Sequence, residues 1–192
     1  IYRILILSLF FCLILFLVIG FARNPEDANL YHNSFIALIN NDKISFGITN
    51  LHFRYGWTSF IQYLSALSYI PDLSPHLIII QNNFFYCLVI LIIFDHAKKD
   101  FDNKEYLLCS YSLLCISYMV LKFSKFSDWG IDLIPAILTM YVTLISFKIF
   151  LKDRFYFVNI YPFLLLIIFF IFFNRTTYIF IFLLPLVFLM CR

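Results

Sequence analysis

A chain of 192 residues that is 63% hydrophobic, 21% aromatic and 13% charged departs far from a water-soluble domain, which runs about 45–50% apolar and about 25% charged. The same figures exclude a disordered segment, and a net charge of +3 spread along the chain excludes a nucleic-acid module. Repeated apolar runs about long enough to cross a ~30 Å hydrocarbon layer predict an all-α, polytopic membrane protein.

The first run, residues 4–22, is uncharged and follows Arg3. It is longer than the core of a signal peptide, so a transmembrane helix is expected, with a signal anchor as the alternative. Residues 23–75 contain more polar groups and read as an extracytoplasmic loop with two juxtamembrane helices, at about 25–40 and 57–70. Asn24-Pro25-Glu26-Asp27 is a helix start, with Asn as cap, Pro in the first turn and acids at the positive helix end. Tyr31, Phe35, Leu38 and Ile39 then share one face, and Asn29, Asn33 and Asn40 another. In the second piece Phe60, Tyr63, Leu64 and Leu67 lie on one side, with Thr58, Gln62 and Ser65 opposite. Its length, up to Pro71, suits an interfacial or re-entrant helix.

Further spans are expected at 76–94, 106–121, 131–149, 155–173 and 178–190, which makes about six in all. The first of these carries Gln81, Asn82 and Asn83 in its first half. Five cysteines, with no CxxC pair and each in or beside an apolar run, read as small hydrophobic side chains. With four glycines in the chain, GxxxG packing is absent. Lys98, Lys99 and Lys104 in one short loop, and Lys148, Lys152 and Arg154 around another, place both loops on the cytoplasmic side and residues 23–75 outside. Residues 1–192 read as a single transmembrane domain; Ile at position 1 and an end on an apolar run at Cys191-Arg192 suggest the N-terminal portion of a longer protein.

The outer side gathers Asp27, Tyr31, His32, His52 and Arg54 from the long loop, and Lys122, Lys125, Asp128 and Asp132 from the next one. Each has a plain structural reading. Asp27 caps its own helix, His32 is a half-exposed interfacial histidine, and Arg54 is an anchor snorkelling among Tyr55 and Trp57. Asp128 and Asp132 are four apart and share a face if helical. Asp132 falls just inside an apolar span, where a deep carboxylate costs roughly 2.5–3.5 kcal/mol. Asn174-Arg175-Thr176 is a glycosylation sequon, meaningful only in a secretory pathway. No phosphate loop, HExxH or GxSxG occurs. An enzyme built this way works at the outer membrane face on lipid-linked substrates. There a carboxylate takes a proton from an attacking hydroxyl, and an arginine or lysine holds a lipid phosphate.

The order of one span, an outer loop opening on an acid, two juxtamembrane helices and further spans resembles the N-terminal half of GT-C-type glycosyltransferases, relatives of protein O-mannosyltransferases and aminoarabinose transferases. Asp27-Ala-Asn-Leu-Tyr-His32 resembles the D-x-x-L-Y-H motif of a bacterial membrane family linked to surface-polysaccharide loci. Asn50-Leu-His-Phe-Arg-Tyr-Gly56 with Ser59 is similar to its N-L-H-x-R-x-G-x-x-S segment, and Asp132-Leu-Ile-Pro135 to a D-x-x-P element. The two loop motifs cover about the first third of the chain, and such enzymes have more spans than this chain shows.

The resemblance implies transfer of a sugar from a polyprenyl-phosphate-linked donor to a cell-surface glycan or lipid acceptor, at the outer face of a bacterial cytoplasmic membrane. Asp27 and Asp132 are the expected catalytic acids, and Tyr31, His32, His52, Arg54, Lys122, Lys125 and Asp128 the expected substrate-binding residues. A divalent metal at the first-loop acid is left open; lipids and the glycan substrates are the partners. Two rivals remain. A flippase or permease for the same lipid-linked glycans predicts polar residues deep in several spans, and Gln81-Asn82-Asn83 fits it. A non-catalytic structural subunit predicts outer polar residues that do not converge.

Overall fold

The computed structural model describes residues 2–20, 32–41, 47, 50, 59–69, 80–122, 132–151 and 154–184. Among them the chain is all-α, with no strand. The helices are α1 (Tyr2–Gly20), α2 (Asn33–Asn41), α3 (Phe60–Ala66), α4 (Ile80–Asp102), α5 (Tyr106–Leu121), α6 (Leu133–Leu151) and α7 (Arg154–Asn174), followed by a 3-10 helix, Thr176–Phe182. Two of them, α4 and α6, are long and apolar enough to cross a membrane.

The largest departure from the expected bounds is at α4. The string Asp95-His96-Ala97-Lys98-Lys99-Asp100 reads as a loop because it is charged, yet the helix runs through it to Asp102. The charges are satisfied along the helix itself. Lys99 Nζ lies 2.5 Å from Asp95 Oδ2, one turn away on the same face. Similarly, α3 is shorter than expected, starting after Ser59. Where a final span is expected at 178–190, residues 176–182 form the 3-10 helix, and residues 185–192 of that expectation lie outside the described residues.

The chain divides into two compact units: residues 1–88 with 122–133, and residues 89–121 with 134–192. In the first unit α1 buries Ser8 and Cys12, one turn apart, and exposes Ile6, Leu9, Phe10, Leu13 and Leu17. Its Cys12 Sγ reaches the Ile80 carbonyl oxygen at 3.7 Å, where α4 begins. The α2 helix packs on α3, with Phe35 and Ile36 buried and the Phe35 ring edge-on to Tyr63 at 6.4 Å.

In the second unit α4 turns Val89, Ile93, Ala97 and Asp100 inward, α5 turns Leu108, Cys109, Ser112, Cys115 and Met119, and α6 turns Ile137, Val142, Leu144, Ile145 and Ile149. His96 and Asp100 on α4 meet Tyr141 and Lys148 on α6 in ascending order along both helices, so α4 and α6 run in the same direction with their C-terminal ends level. Between them α5 runs back, its Tyr111 edge-on to Phe147 at 5.4 Å.

The pin of this unit is a buried ion pair. Lys148 Nζ lies 2.7 Å from Asp100 Oδ1, with the two side chains 4% and 2% exposed. The same ammonium is 2.9 Å from His96 Nδ1, which accepts from it. Asp100 also ends its helix: its carbonyl oxygen accepts the Glu105 N–H at 2.8 Å while the Phe101 oxygen accepts the Lys104 N–H at 3.0 Å. Those two bonds form a Schellman cap. Lys104 takes the left-handed position there, at φ 61°, where glycine is the unstrained residue.

Two stability outcomes are expected. Asp100→Leu strands the Lys148 ammonium in the interior and destabilises by about 3–5 kcal/mol, whereas Asp100→Leu with Lys148→Leu recovers most of that loss. Chemical unfolding in detergent micelles measures both. Lys104→Gly relieves the left-handed backbone and stabilises by about 1 kcal/mol in the same assay.

Candidate functional site

The α3 helix carries a polar residue at every third position, beginning with its cap: Ser59, Gln62, Ser65 and, in the turn beyond, Ser68. Residues three apart on a helix lie on one face. Ser59, Gln62 and Ser65 are 1%, 4% and 0% exposed, while Phe60, Tyr63 and Leu67 on the other side are 45%, 47% and 84% exposed. The faces are those the sequence predicts, but it is the polar one that is turned inward.

A capping box fixes the start of the stripe. Ser59 Oγ accepts the Gln62 N–H at 3.4 Å, and Gln62 Oε1 accepts the Ser59 N–H at 2.9 Å. That second bond sets the orientation of the Gln62 amide, so its Nε2 points at His32 Nδ1, 3.0 Å away, and donates to it. Nδ1 is therefore the acceptor, and the ring proton sits on Nε2. At the far end Ser68 Oγ donates to the Ser65 carbonyl oxygen at 3.0 Å and accepts from Gln81 Nε2 at 2.6 Å. The stripe thus joins the residue preceding α2 to the first turn of α4.

At that first turn three carboxamides follow one another. Asn82 and Asn83 are 3% and 0% exposed. Among the described residues Gln81 Oε1, Asn82 Oδ1, both Asn83 amide atoms and Ser65 Oγ have no hydrogen-bond partner. All of these groups belong to the first unit. Apart from His32, the buried polar side chains of that unit's described residues, namely Ser8, Ser59, Gln62, Ser65, Asn82 and Asn83, cannot carry a charge at neutral pH.

Of the nine expected site residues, Asp27, Tyr31, His52, Arg54, Lys125 and Asp128 lie outside the described residues. His32 is 4% exposed, buried by its bond to Gln62, and not the half-exposed interfacial side chain the sequence suggests. Lys122 sits exposed just after α5. Asp132 is an exposed turn residue immediately before α6. Asn174 is 2% exposed and its Nδ2 donates to the Phe170 carbonyl oxygen at 2.7 Å, so the sequon is closed to modification in this fold. No group of three His, Cys, Asp or Glu side chains able to hold a metal occurs among the described residues. Gln62, Ser65 and Ser68 are site residues that sequence reasoning passed over; their signal is the spacing of three that starts at Ser59.

The molecule is thus an all-α chain that turns a stripe of uncharged polar groups inward and keeps large apolar side chains outside. Residues 1–191 match a family described as a domain of unknown function, DUF8201, and the chain belongs to that family. No curated protein and no solved structure matches it.

Gln62→Leu removes both the bond to His32 and half of the capping box, and is expected to lower stability by about 1–3 kcal/mol. Ser59→Ala removes one cap acceptor and costs about 0.5–2 kcal/mol. Thermal unfolding of the two purified variants checks the order: the Gln62 change should be the larger, and equal effects would show that the bond to His32 contributes nothing.

Proposed function

We propose that this chain, with about six spans in a bacterial cytoplasmic membrane, is a membrane-embedded glycosyltransferase of GT-C type. It transfers a sugar from a polyprenyl-phosphate-linked donor to a cell-surface glycan or lipid acceptor at the outer face. The observation that carries this reading is the bond between His32 and Gln62. His32 closes the segment that resembles D-x-x-L-Y-H, and Gln62 is capped by Ser59, which closes the segment that resembles N-L-H-x-R-x-G-x-x-S. Two stretches far apart in sequence, each likened to the same family, meet through buried side chains. A shared site accounts for that meeting directly.

In this reading Asp27 accepts the proton of the acceptor hydroxyl as its oxygen attacks the anomeric carbon of the donor. The bond from that carbon to the phosphate oxygen breaks, and the electron pair leaves with the polyprenyl phosphate. Arg54 and Lys122 or Lys125 stabilise the charge that develops on the phosphate. Asp132 or Asp128 supplies a second acid. Tyr31, His32 and His52 position the substrates, His32 through its fixed tautomer. The level C-terminal ends of α4 and α6 support the orientation. Lys98, Lys99, Lys104, Lys148, Lys152 and Arg154 are read as cytoplasmic by the positive-inside rule. Residues 23–75 are then outside, where lipid-linked donors are used.

A flippase for the same lipids is the second reading, favoured by the ionisable Asp100–Lys148 pair buried between two helices of spanning length. The pair lies near the ends of both helices, which suits a clamp better than a path.

Asp27→Asn separates the readings. Sugar transfer should fall at least a hundredfold while the protein still inserts and is recovered from the membrane at wild-type level. Mass spectrometry of lipid-linked and surface glycans from the variant strain reads the loss; full transfer would remove the mechanism.

A further inference from the structure

We propose that His96, Lys148 and Asp100 form a proton-operated latch: a proton binding to His96 displaces the Lys148 ammonium from the ring and loosens the end of α4 from the end of α6. The device lies within the second unit and is independent of whether the chain transfers sugars or moves lipids.

The three groups are arranged for such an exchange. His96 and Asp100 are four apart on α4, so they share one face of the helix. Lys148 comes from α6 and reaches both, at 2.9 Å to His96 Nδ1 and 2.7 Å to Asp100 Oδ1. An ammonium only donates, so Nδ1 accepts and the ring hydrogen sits on Nε2. A neutral imidazole has one basic lone pair, and here Lys148 occupies it. An incoming proton must therefore bind at the same nitrogen that holds α6.

Protonation turns that acceptor into a donor. The imidazolium N–H then faces the ammonium, and a balanced pair becomes two cations and one carboxylate between the helices. Extra charge among buried groups is unfavourable unless it finds a partner. Asp100 supplies one: its Oδ2 is buried and has no hydrogen-bond partner among the described residues. The imidazolium turns to that oxygen, one helical turn away, and Lys148 must share the carboxylate. A bond between α4 and α6 is thereby exchanged for one within α4. The turn to α5 survives, because Asp100 closes it with its backbone carbonyl.

Burial decides where the proton enters. His96 is half-buried, whereas Lys148 and Asp100 are enclosed. The other groups around the ring are Asp95 and Lys99 on α4, which pair with each other, and Tyr141 on α6, its ring 6.0 Å away. Glu105, in the turn, bonds to Asp100 through its N–H. Histidine is the side chain that ordinarily changes charge between about pH 5 and pH 8, which makes the ring the responsive member.

The test is hydrogen–deuterium exchange of the full chain in detergent micelles, read by mass spectrometry over residues 145–151 at the end of α6. It is run at about pH 7.5 and about pH 5, on either side of the ordinary histidine range, and corrected for the intrinsic effect of pH on amide exchange. Exchange in the wild type should rise roughly tenfold at the lower pH, the effect of losing one hydrogen bond to a charged group. His96→Asn puts an amide oxygen near the position of Nδ1, accepts from Lys148 and does not titrate, so its exchange should be slow and equal at both values. Carboxylates that titrate over the same interval are present in both proteins, so the difference belongs to His96. His96→Lys, a fixed cation, should exchange fast at both values; where it does not fold, the wild type and His96→Asn decide between them. Nitrogen-15 spectra at the higher pH should place the His96 ring proton on Nε2. No rise in the wild type, an equal rise in His96→Asn, or a proton on Nδ1 at the higher pH would each overturn the proposal.

Discussion

The constraint on which the rest depends is the apolar character of the outer surface. Leu107, Phe150, Leu166 and Ile6 are 76%, 70%, 67% and 67% exposed, while Ser8, Gln62, Asn83, Ser112, Asp100 and Lys148 are all buried. In water that distribution would be severely unfavourable. Where the surroundings are as apolar as leucine, burying leucine gains little, and helices associate through close packing and through hydrogen bonds between them. The residues at the helix contacts follow that logic. Cys12 on α1 reaches a carbonyl of α4, Ser68 beyond α3 bonds to Gln81, and Lys148 on α6 holds Asp100. With few glycines, serine, cysteine and alanine take the close-packing positions: Ser8 and Cys12 on α1, Ala97 on α4, Ser112 and Cys115 on α5.

The two units meet this constraint with different chemistry. The second concentrates its polarity in one ion pair that is chiefly a device of register. An ion pair of this kind adds little net stability over a well-packed apolar pair, but it tolerates few alternatives, because a slip of either helix leaves a charge stranded. Asp100 performs two tasks at once, holding Lys148 with its carboxylate and closing the turn to α5 with its carbonyl. The end of α4 and its pairing with α6 are therefore set by the same residue. The first unit spreads its polarity over a stripe of neutral groups, some paired and some not. Apart from His32, the buried polarity of the first unit's described residues is neutral, whereas that of the second is built around a charged pair.

Helices were legible in the sequence where an uncharged apolar run had clear charged ends. Residues 106–121 form an uncharged run bounded by Glu105 and Lys122, and the expected and observed limits of α5 coincide. The limits of α4 were not legible, because reading Asp95 to Asp100 as a loop assumes that charge means water. The Asp95–Lys99 pair is a local signal that the helix continues, but the partner of Asp100 lies on α6, and no local window contains it. The two faces of α3 were legible and their direction was not. Amphipathicity fixes which residues share a side, while the solvent decides which side is buried. His32 illustrates the same gap: its neighbours in sequence give no reason for burial, and the reason is Gln62, thirty residues on.

The neutral stripe also bears on how sugar transfer and lipid handling would be divided. A phosphate-linked sugar has a charged part, which is stable near an aqueous interface, and an uncharged part, which tolerates a drier site. The basic residues that would meet the charge, Arg54, Lys122 and Lys125, all belong to the polar stretches between apolar runs, and Lys122 is exposed. The carboxamides lie within the first turn of a helix of spanning length and are out of contact with solvent. Replacing those amides by leucine would satisfy the fold equally well or better.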